Sequence, residues 1–565
     1  MRAKLFIGFL FIAGIFFLIS TAGIFAQKKN NLKKKIDVQK YSPIEVWTPD
    51  NGDGTYKNPI LNADYSDPDA IRVGDDYYLT SSSFSHFPGL PILHSKDLVN
   101  WEIISQAVQK YPYESFNKPQ HGNGIWAPSI RYHNGEFYIY YGDPDYGIFM
   151  TKAKDPRGPW DPLHLVRAAK GWIDSCPFWD DDGSAYLVHA WARSRSGIKH
   201  VITINKMSPD GKTLLDDGVK VFCDSVKHNT MEGPKLYKRN GYYYIYAPAG
   251  GVKPGWQTVL RSKNILGPYE DKIVLEKGST KINGPHQGAW IQTQTGEDWF
   301  LHFQDRYAYG RIVHLQPMKW ENDWPVIGID YDKNGIGEPV ATYSKPNVGS
   351  KKNQIVNPAT NDEFDSPKLG LQWQWQANYR DEWYSLKERA GWLRLYSNFS
   401  TGLKNLYEAP WLILQKFPAV NFSAKTLLDC SNFSEGTTAG LIIFGSDYAT
   451  VAINKTQKGL QLIQSSCNQA DKGRPEKVNQ VISFDGDKVY LKINVKESFN
   501  NENIPIATCT FYFSYNGTDF RKIGDDFIAK EGRWVGAKIG LFSKTDLENS
   551  RNNFADFDWI RFEKI

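Results

Sequence analysis

The chain has 565 residues, more than one hydrophobic core usually serves, so two or more domains are expected. Lys and Arg number 67 against 62 Asp and Glu, a net charge of +5 with no long single-sign block after residue 40, which argues against a nucleic-acid reader. Five cysteines (Cys176, Cys223, Cys430, Cys467 and Cys509) are too few and too scattered for a disulfide framework, and none shares a Cys-x-x-Cys zinc spacing.

Residues 1–26 carry Arg2 and Lys4, a long apolar run and small residues ending at Ala26, the pattern of a secretory signal peptide. A membrane anchor is the alternative, because the run is nearly long enough to span a bilayer. The mature protein is expected to be exported: periplasmic in a Gram-negative source, otherwise extracellular, with no membrane attachment once the signal is removed. Residues 27–55, Lys-rich and then rich in Pro, Asp and Gly, have no hydrophobic period and read as a tether.

From Tyr56 a weak repeat sets in: a loop bearing Asp, Glu or Pro, a β run, a Gly or Asp turn, and an aromatic β run. Its copies are SDPDAIRVGDDYYLTSS from Ser66, WAPSIRYHNGEFYIYYG from Trp126, IDSCPFWDDDGSAYLVHA from Ile173, MEGPKLYKRNGYYYIYAP from Met231 and HQGAWIQTQTGEDWFLHF from His286. The spacing, roughly 47 to 60 residues, suits four-stranded blades with variable loops, and five copies predict a five-bladed β-propeller over 56–334. Turns such as Asn134-Gly135 and Asn240-Gly241 between alternating segments are hairpin signals. A Pro-, Lys-, Ser- and Asn-rich linker is placed at 335–361, and the short β-patterned runs over 362–565 predict a β-sandwich of jelly-roll type. The expected fold class is all-β.

A propeller gathers the first strand of every blade around its axis, so residues at one repeat position converge. That position holds Asp67, Trp126, Asp174, Glu232 and His286: three carboxyl groups, an indole and an imidazole around one funnel. Most of the acids in any chain are solvated surface groups, but three acids in one repeat register point to a site, because like charges held together perturb one another. Hydrolysis of a glycosidic bond needs one carboxylic acid for the leaving oxygen and one carboxylate for water or for attack. A third acid has a use in raising the acid's pKa. Asp67 as base, Glu232 as acid and Asp174 as tuner is the simplest assignment.

At these residues the sequence resembles glycoside hydrolase family 43. The resemblance runs from residue 57 to about 330 and matches Asp67 to the general base, Asp174 to the pKa modulator and Glu232 to the general acid. It implies inversion at the anomeric carbon. It also implies sugar contacts from Phe84 and Phe87 in FPGLPILHSKDLVNW, Trp126 in GIWAPSI and Arg311 in YGRIVHLQPM. An indole face suits a sugar C–H face and a guanidinium suits paired hydroxyls, although a blade-core Trp and a surface ion pair are the plain alternatives. The resemblance puts His286 of GPHQGAW on the propeller axis, facing a calcium ion or water, in a structural role. One departure is Asp69, which follows the base in Ser-Asp-Pro-Asp and crowds it.

The C-terminal half resembles the concanavalin-like sandwich found in many members, which packs on the propeller and lends a loop to the pocket. Glu363, Asp365 and Asp558 are candidates for a structural calcium, though surface turns explain them almost as well. No cofactor is required for the chemistry. The expected activity is release of terminal non-reducing α-L-arabinofuranosyl residues from plant cell-wall polysaccharides or oligosaccharides: arabinoxylan, arabinan or xyloglucan side chains. The alternatives are β-D-xylosidase action on xylo-oligosaccharides and, from another class, a non-catalytic sugar-binding propeller, which would have lost at least one of the three acids.

Overall fold

The computed structural model describes residues 46–349, 354–547 and 553–565. The expected signal peptide at 1–26, most of the tether and part of the linker lie outside them. Among the described residues no helix is long and apolar enough to cross a membrane.

Five four-stranded antiparallel sheets follow one another along the chain, each built in simple up-and-down order. Their first strands are Asp69–Val73, Trp126–His133, Trp172–Trp179, Lys235–Arg239 and His286–Gln292; successive blades meet through these strands, except that the first strand of blade 5 packs on the second and third strands of blade 4. Contact between the first strand of blade 5 and that of blade 1 closes the ring. The five expected blades are therefore present. The hairpins follow the turn chemistry: Asn134-Gly135 and Asn240-Gly241 take positive φ at both residues, as a type I′ turn requires.

Closure is reinforced by residues ahead of blade 1. Thr55–Lys57 pairs with Thr342–Ser344, and Leu61 bridges Val313 in the third strand of blade 5. Tyr56, fully buried, donates its hydroxyl to the Leu315 carbonyl at 2.8 Å. Tyr56, Ile60 and Leu61 share one apolar cluster with Leu79 and Leu93 of blade 1 and Ala289, Leu301 and Leu315 of blade 5. The same apolar contacts that fold this segment thus join the two ends of the ring.

The C-terminal half is a sandwich of two eight-stranded sheets. Alternation along Lys488–Phe499 and Pro505–Ser514 sends Leu491, Ile493, Phe511 and Phe513 inward and Lys492 and Tyr512 outward, as a half-buried sheet requires. The sandwich docks on the propeller through its backbone. Phe87 and Trp375 exchange hydrogen bonds of 3.2 and 2.7 Å, and Ala537 N–H donates to the Ala308 carbonyl at 2.7 Å. The sandwich core also takes in Ala308 and Tyr309 from blade 5.

Among the described residues all five cysteines are free thiols. Glu363 is held by the Arg561 guanidinium in a two-pronged pair, 2.8 Å at each oxygen, which occupies the carboxylate expected to serve calcium. Asp365 is exposed and Asp558 half-buried. Among the described residues no group of three or more His, Cys, Asp or Glu side chains is placed to hold a metal ion.

Candidate active site

The blade entrances leave regular β geometry where they turn their side chains to the axis. The registers of blades 2, 3 and 5 shift between Trp126 and Ser129, Ile173 and Cys176, and His286 and Gly288. Asp67, Ala127, Asp174 and Gln287 take left-handed φ of 53°, 35°, 59° and 38°. For residues other than glycine this costs on the order of 1 kcal/mol each, and such bulges re-aim side chains at functional sites. Here they deliver Asp67, Asp174 and Glu232 to one pocket with an empty volume of about 460 Å³.

Asp67 is 5% exposed and held on both sides. Ser82 Oγ donates to Oδ2 at 2.6 Å, and Arg311 Nη1 donates to Oδ1 at 3.0 Å. The same hydroxyl accepts from Ala127 N–H at 2.7 Å, so its proton is committed to Asp67. Arg311 is buried and also lines the pocket. Two charge-assisted hydrogen bonds fix the carboxylate's orientation.

Glu232 reaches the pocket from the loop before blade 4, its N–H anchored on the Pro248 carbonyl at 3.1 Å. Oε1 lies 2.9 Å from Nε2 of His286, a fully buried ring whose Nδ1 has no partner. One free imidazole nitrogen does not make a site for calcium, which needs six to eight oxygens. The residues around His286 do not fit the metal, and the ring's contact is with Glu232.

Asp174 accepts from Gly233 N–H at 2.7 Å. Gly233 has φ +62°, and a Cβ there would lie 2.5 Å from the Gln287 side chain, so the short approach to Asp174 needs glycine. Burial, and then the Glu232 carboxylate, push Asp174 up to about 8. Burial pushes Glu232 up as well, but the hydrogen bond and charge of His286 outweigh it and hold Glu232 below the usual glutamate value. The Glu232 charge thus raises Asp174, while the imidazole beside Glu232 favours the charged form of that residue.

Asp69 does not crowd Asp67. Its Oδ2 accepts from Arg131 Nη1 at 2.6 Å and from Ile130 N–H at 2.8 Å, tying blade 1 to blade 2. Phe87 is a correction. It was expected beside the sugar, but its ring is wholly buried between blades 1 and 2, stacked on Tyr111 at 5.6 Å with Phe116 on its edge. Its backbone pairing with Trp375 turns it away from the pocket.

Phe84 and Trp126 do line the pocket, meeting edge to face at 6.3 Å. Trp534, from the sandwich, stands against Trp126 at 6.1 Å and 70°, so three aromatic rings frame the opening. Ile173 and Val252 complete the apolar wall. Trp534 was not singled out from the sequence. Its loop is fixed by Asp64, whose Oδ2 accepts from Gly536 N–H at 3.0 Å while Oδ1 accepts from Arg311 N–H at 2.9 Å. One carboxylate thus links the sandwich loop to the strand that carries Arg311.

The arrangement is that of acid–base hydrolysis of a small polar ligand with an apolar face. Comparisons with known proteins agree. The profile described as "Glycosyl hydrolases family 43" matches residues 56–325, and that described as "Beta xylosidase C-terminal Concanavalin A-like domain" matches residues 361–563. The chain is 40% identical over 534 residues to a putative beta-xylosidase of Xylanibacter ruminicola, covering 90% of this chain and 93% of the relative. It is 29% identical over 535 residues to a non-reducing end alpha-L-arabinofuranosidase of Bacteroides ovatus, covering 90% and 94%. Among solved structures it resembles a xylan beta-1,4-xylosidase from Bacillus halodurans C-125, with a TM-score of 0.78 and 26% identity, covering 90% of this chain and 100% of that one.

Proposed function

This chain belongs to glycoside hydrolase family 43 and is a glycosidase, and from that premise we propose that it is an exo-acting β-D-xylosidase that removes single xylose units from the non-reducing ends of xylo-oligosaccharides. The observation that carries the reading is the convergence of Asp67, Asp174 and Glu232, from three separate blades, on one pocket walled by Phe84, Trp126 and Trp534. The aromatic frame, one ring of which comes from a second domain, supports a pocket for a terminal sugar. The preference for xylose rests on the 40% identity to a protein named a putative beta-xylosidase, against 29% to one named an arabinofuranosidase. The arabinofuranosidase activity expected from the sequence is the second reading.

In the proposed reaction Asp67, oriented by Ser82 and Arg311, takes a proton from water as the water oxygen bonds to the anomeric carbon. Glu232 gives its proton to the glycosidic oxygen as the bond to the leaving sugar breaks, with inversion at the carbon. A glycosidic oxygen beside Glu232 favours the protonated acid there, and Asp174 then carries the pair's negative charge against Gly233 N–H. The signal pattern at residues 1–26 supports action outside the cytoplasm.

The test is the initial rate of the purified protein on an aryl β-D-xyloside and an aryl α-L-arabinofuranoside side by side at neutral pH, with xylobiose as a natural substrate. A higher kcat/KM on the xyloside and release of xylose from xylobiose support the proposal. Preference for the arabinofuranoside would replace it with the second reading, and turnover of none of the three would return the sugar-binding propeller.

A further inference from the structure

Trp126, one wall of the pocket, is backed by a side chain from another blade. Arg195 lies on the short helix Arg193–Ser196, between the second and third strands of blade 3, and its guanidinium stands 5.8 Å from the centre of the Trp126 ring. Arg195 is not part of the pocket lining, so it meets Trp126 from outside the space open to a sugar.

The guanidinium is held in a fixed direction. Nε and Nη2 donate to the two oxygens of Asp145 at 3.1 and 3.2 Å, Nη2 donates again to Asn123 Oδ1 at 2.9 Å, and Nη1 donates to Ser194 Oγ at 3.0 Å. Asp145 is set in turn by the fully buried Asp143, which accepts from the N–H groups of Asp145 and Tyr146 at 2.9 and 3.3 Å and from the Tyr111 hydroxyl at 2.8 Å. Asn123 belongs to the loop that anchors two of the pocket's rings. The Gly122 carbonyl accepts from Trp126 Nε1 at 2.9 Å, and Ile125 exchanges backbone hydrogen bonds of 3.0 and 3.2 Å with Phe84. Arg195 therefore grips both the Trp126 ring and the loop on which Trp126 and Phe84 depend. With 21% of the Arg195 side chain and 34% of that of Asp145 exposed, the ion pair adds little to stability. What a two-pronged guanidinium–carboxylate pair supplies is direction.

We propose that Arg195 is a positioning residue of this glycosidase: from blade 3 it fixes the Trp126 ring and the loop over 120–125 as a preformed wall, and so sets the affinity for the sugar. The inference rests on the reading of this pocket as the sugar site and is independent of which pentose fills it. A wall already in place need not be ordered when the sugar arrives. A loosened wall weakens ground-state and transition-state binding alike, which raises KM and leaves kcat unchanged.

The experiment is steady-state kinetics of the purified enzyme on whichever aryl glycoside, xyloside or arabinofuranoside, wild type hydrolyses faster. If neither is hydrolysed, the dissociation constants of xylose and arabinose take the place of KM, so that failure of the xylosidase reading leaves this test intact. Arg195→Ala is expected to raise KM by about 2- to 10-fold, with kcat within about twofold of wild type. A merely less stable protein would instead lose active enzyme, lowering the apparent kcat at unchanged KM. In a Trp126→Ala background the same change is expected to leave KM where Trp126→Ala alone puts it. Asp145→Asn, which keeps the shape of the pair and removes its charge, is read in place of Arg195→Ala if that variant does not fold. An unchanged KM, a loss confined to kcat, or a rise in KM by the same factor with and without the Trp126 ring overturns the proposal.

Discussion

His286 Nε2 sits 2.9 Å from Glu232 Oε1, a contact that favours the charged form of Glu232 against its burial. A hydrogen bond that favours the charged form lowers a carboxyl's pKa, so removing it raises that pKa. His286→Asn is expected to move the alkaline limb of the kcat/KM profile to higher pH while lowering activity at the optimum, because the acid is then less well oriented. A pH–rate profile on the aryl xyloside checks this. An alkaline limb that stays put or moves down would remove His286 from the account.

Glu232→Gln removes the proposed proton donor and leaves the shape of the pocket. General acid catalysis contributes about 10²- to 10⁴-fold, and most to poor leaving groups. Hydrolysis of xylobiose is expected to fall by about 10³-fold, and that of a dinitrophenyl xyloside by far less, with Tm nearly unchanged. Equal losses on both substrates would show that Glu232 acts otherwise.

Asp174 makes stability depend on pH. Burial, and then the Glu232 charge, push its carboxyl up to about 8 in the fold from the ordinary 3.8, so between those values the folded chain is expected to hold a proton that the unfolded chain has lost. Its contribution is favourable below about 4 and declines as pH rises toward 8. Asp174→Asn removes the decline, so the variant is expected to melt about 2–4 °C above wild type at pH 8 with little difference at pH 4. Calorimetry at the two pH values is the check, and an advantage that is larger at pH 4 would reverse the assignment.

Much of this was legible because a propeller repeats. The five copies marked the five blades, and one position in each copy located Asp67, Trp126, Asp174, Glu232 and His286 before any coordinate was needed. What escaped lies outside the repeat. Ser82, which orients Asp67, follows the blade 1 hairpin with no pattern to set it apart from Ser81 and Ser83. Phe87 shares a motif with Phe84, but backbone pairing to Trp375, far along the chain, turns it into the core, and no local period reports that. The lowering of Glu232 by His286 depends on their 2.9 Å contact, which spacing alone does not supply.

Trp534 is the clearest case, a pocket wall supplied by the second domain. Truncating it leaves the acids in place and takes away one ring of the aromatic frame. Trp534→Ala is expected to lower kcat/KM by about 2- to 12-fold, the range of one aromatic contact, mostly through KM. Steady-state kinetics on the aryl xyloside measure this, and a loss confined to kcat would mean that the ring serves the chemistry rather than binding.

Asp64 determines whether that wall is fixed. Each of its oxygens takes one backbone N–H, from Arg311 in the propeller and from Gly536 in the sandwich loop. Asp64→Ala leaves two buried donors unpaired, at about 1–3 kcal/mol each, and frees the loop from the strand that positions Arg311 against Asp67. The variant is expected to melt several degrees lower and to raise KM. If the rise in KM comes through Trp534, the double variant with Trp534→Ala should have a KM close to that of Trp534→Ala alone, because an absent wall cannot be loosened further. Additive effects in that cycle would instead place the influence of Asp64 on Arg311 and the base.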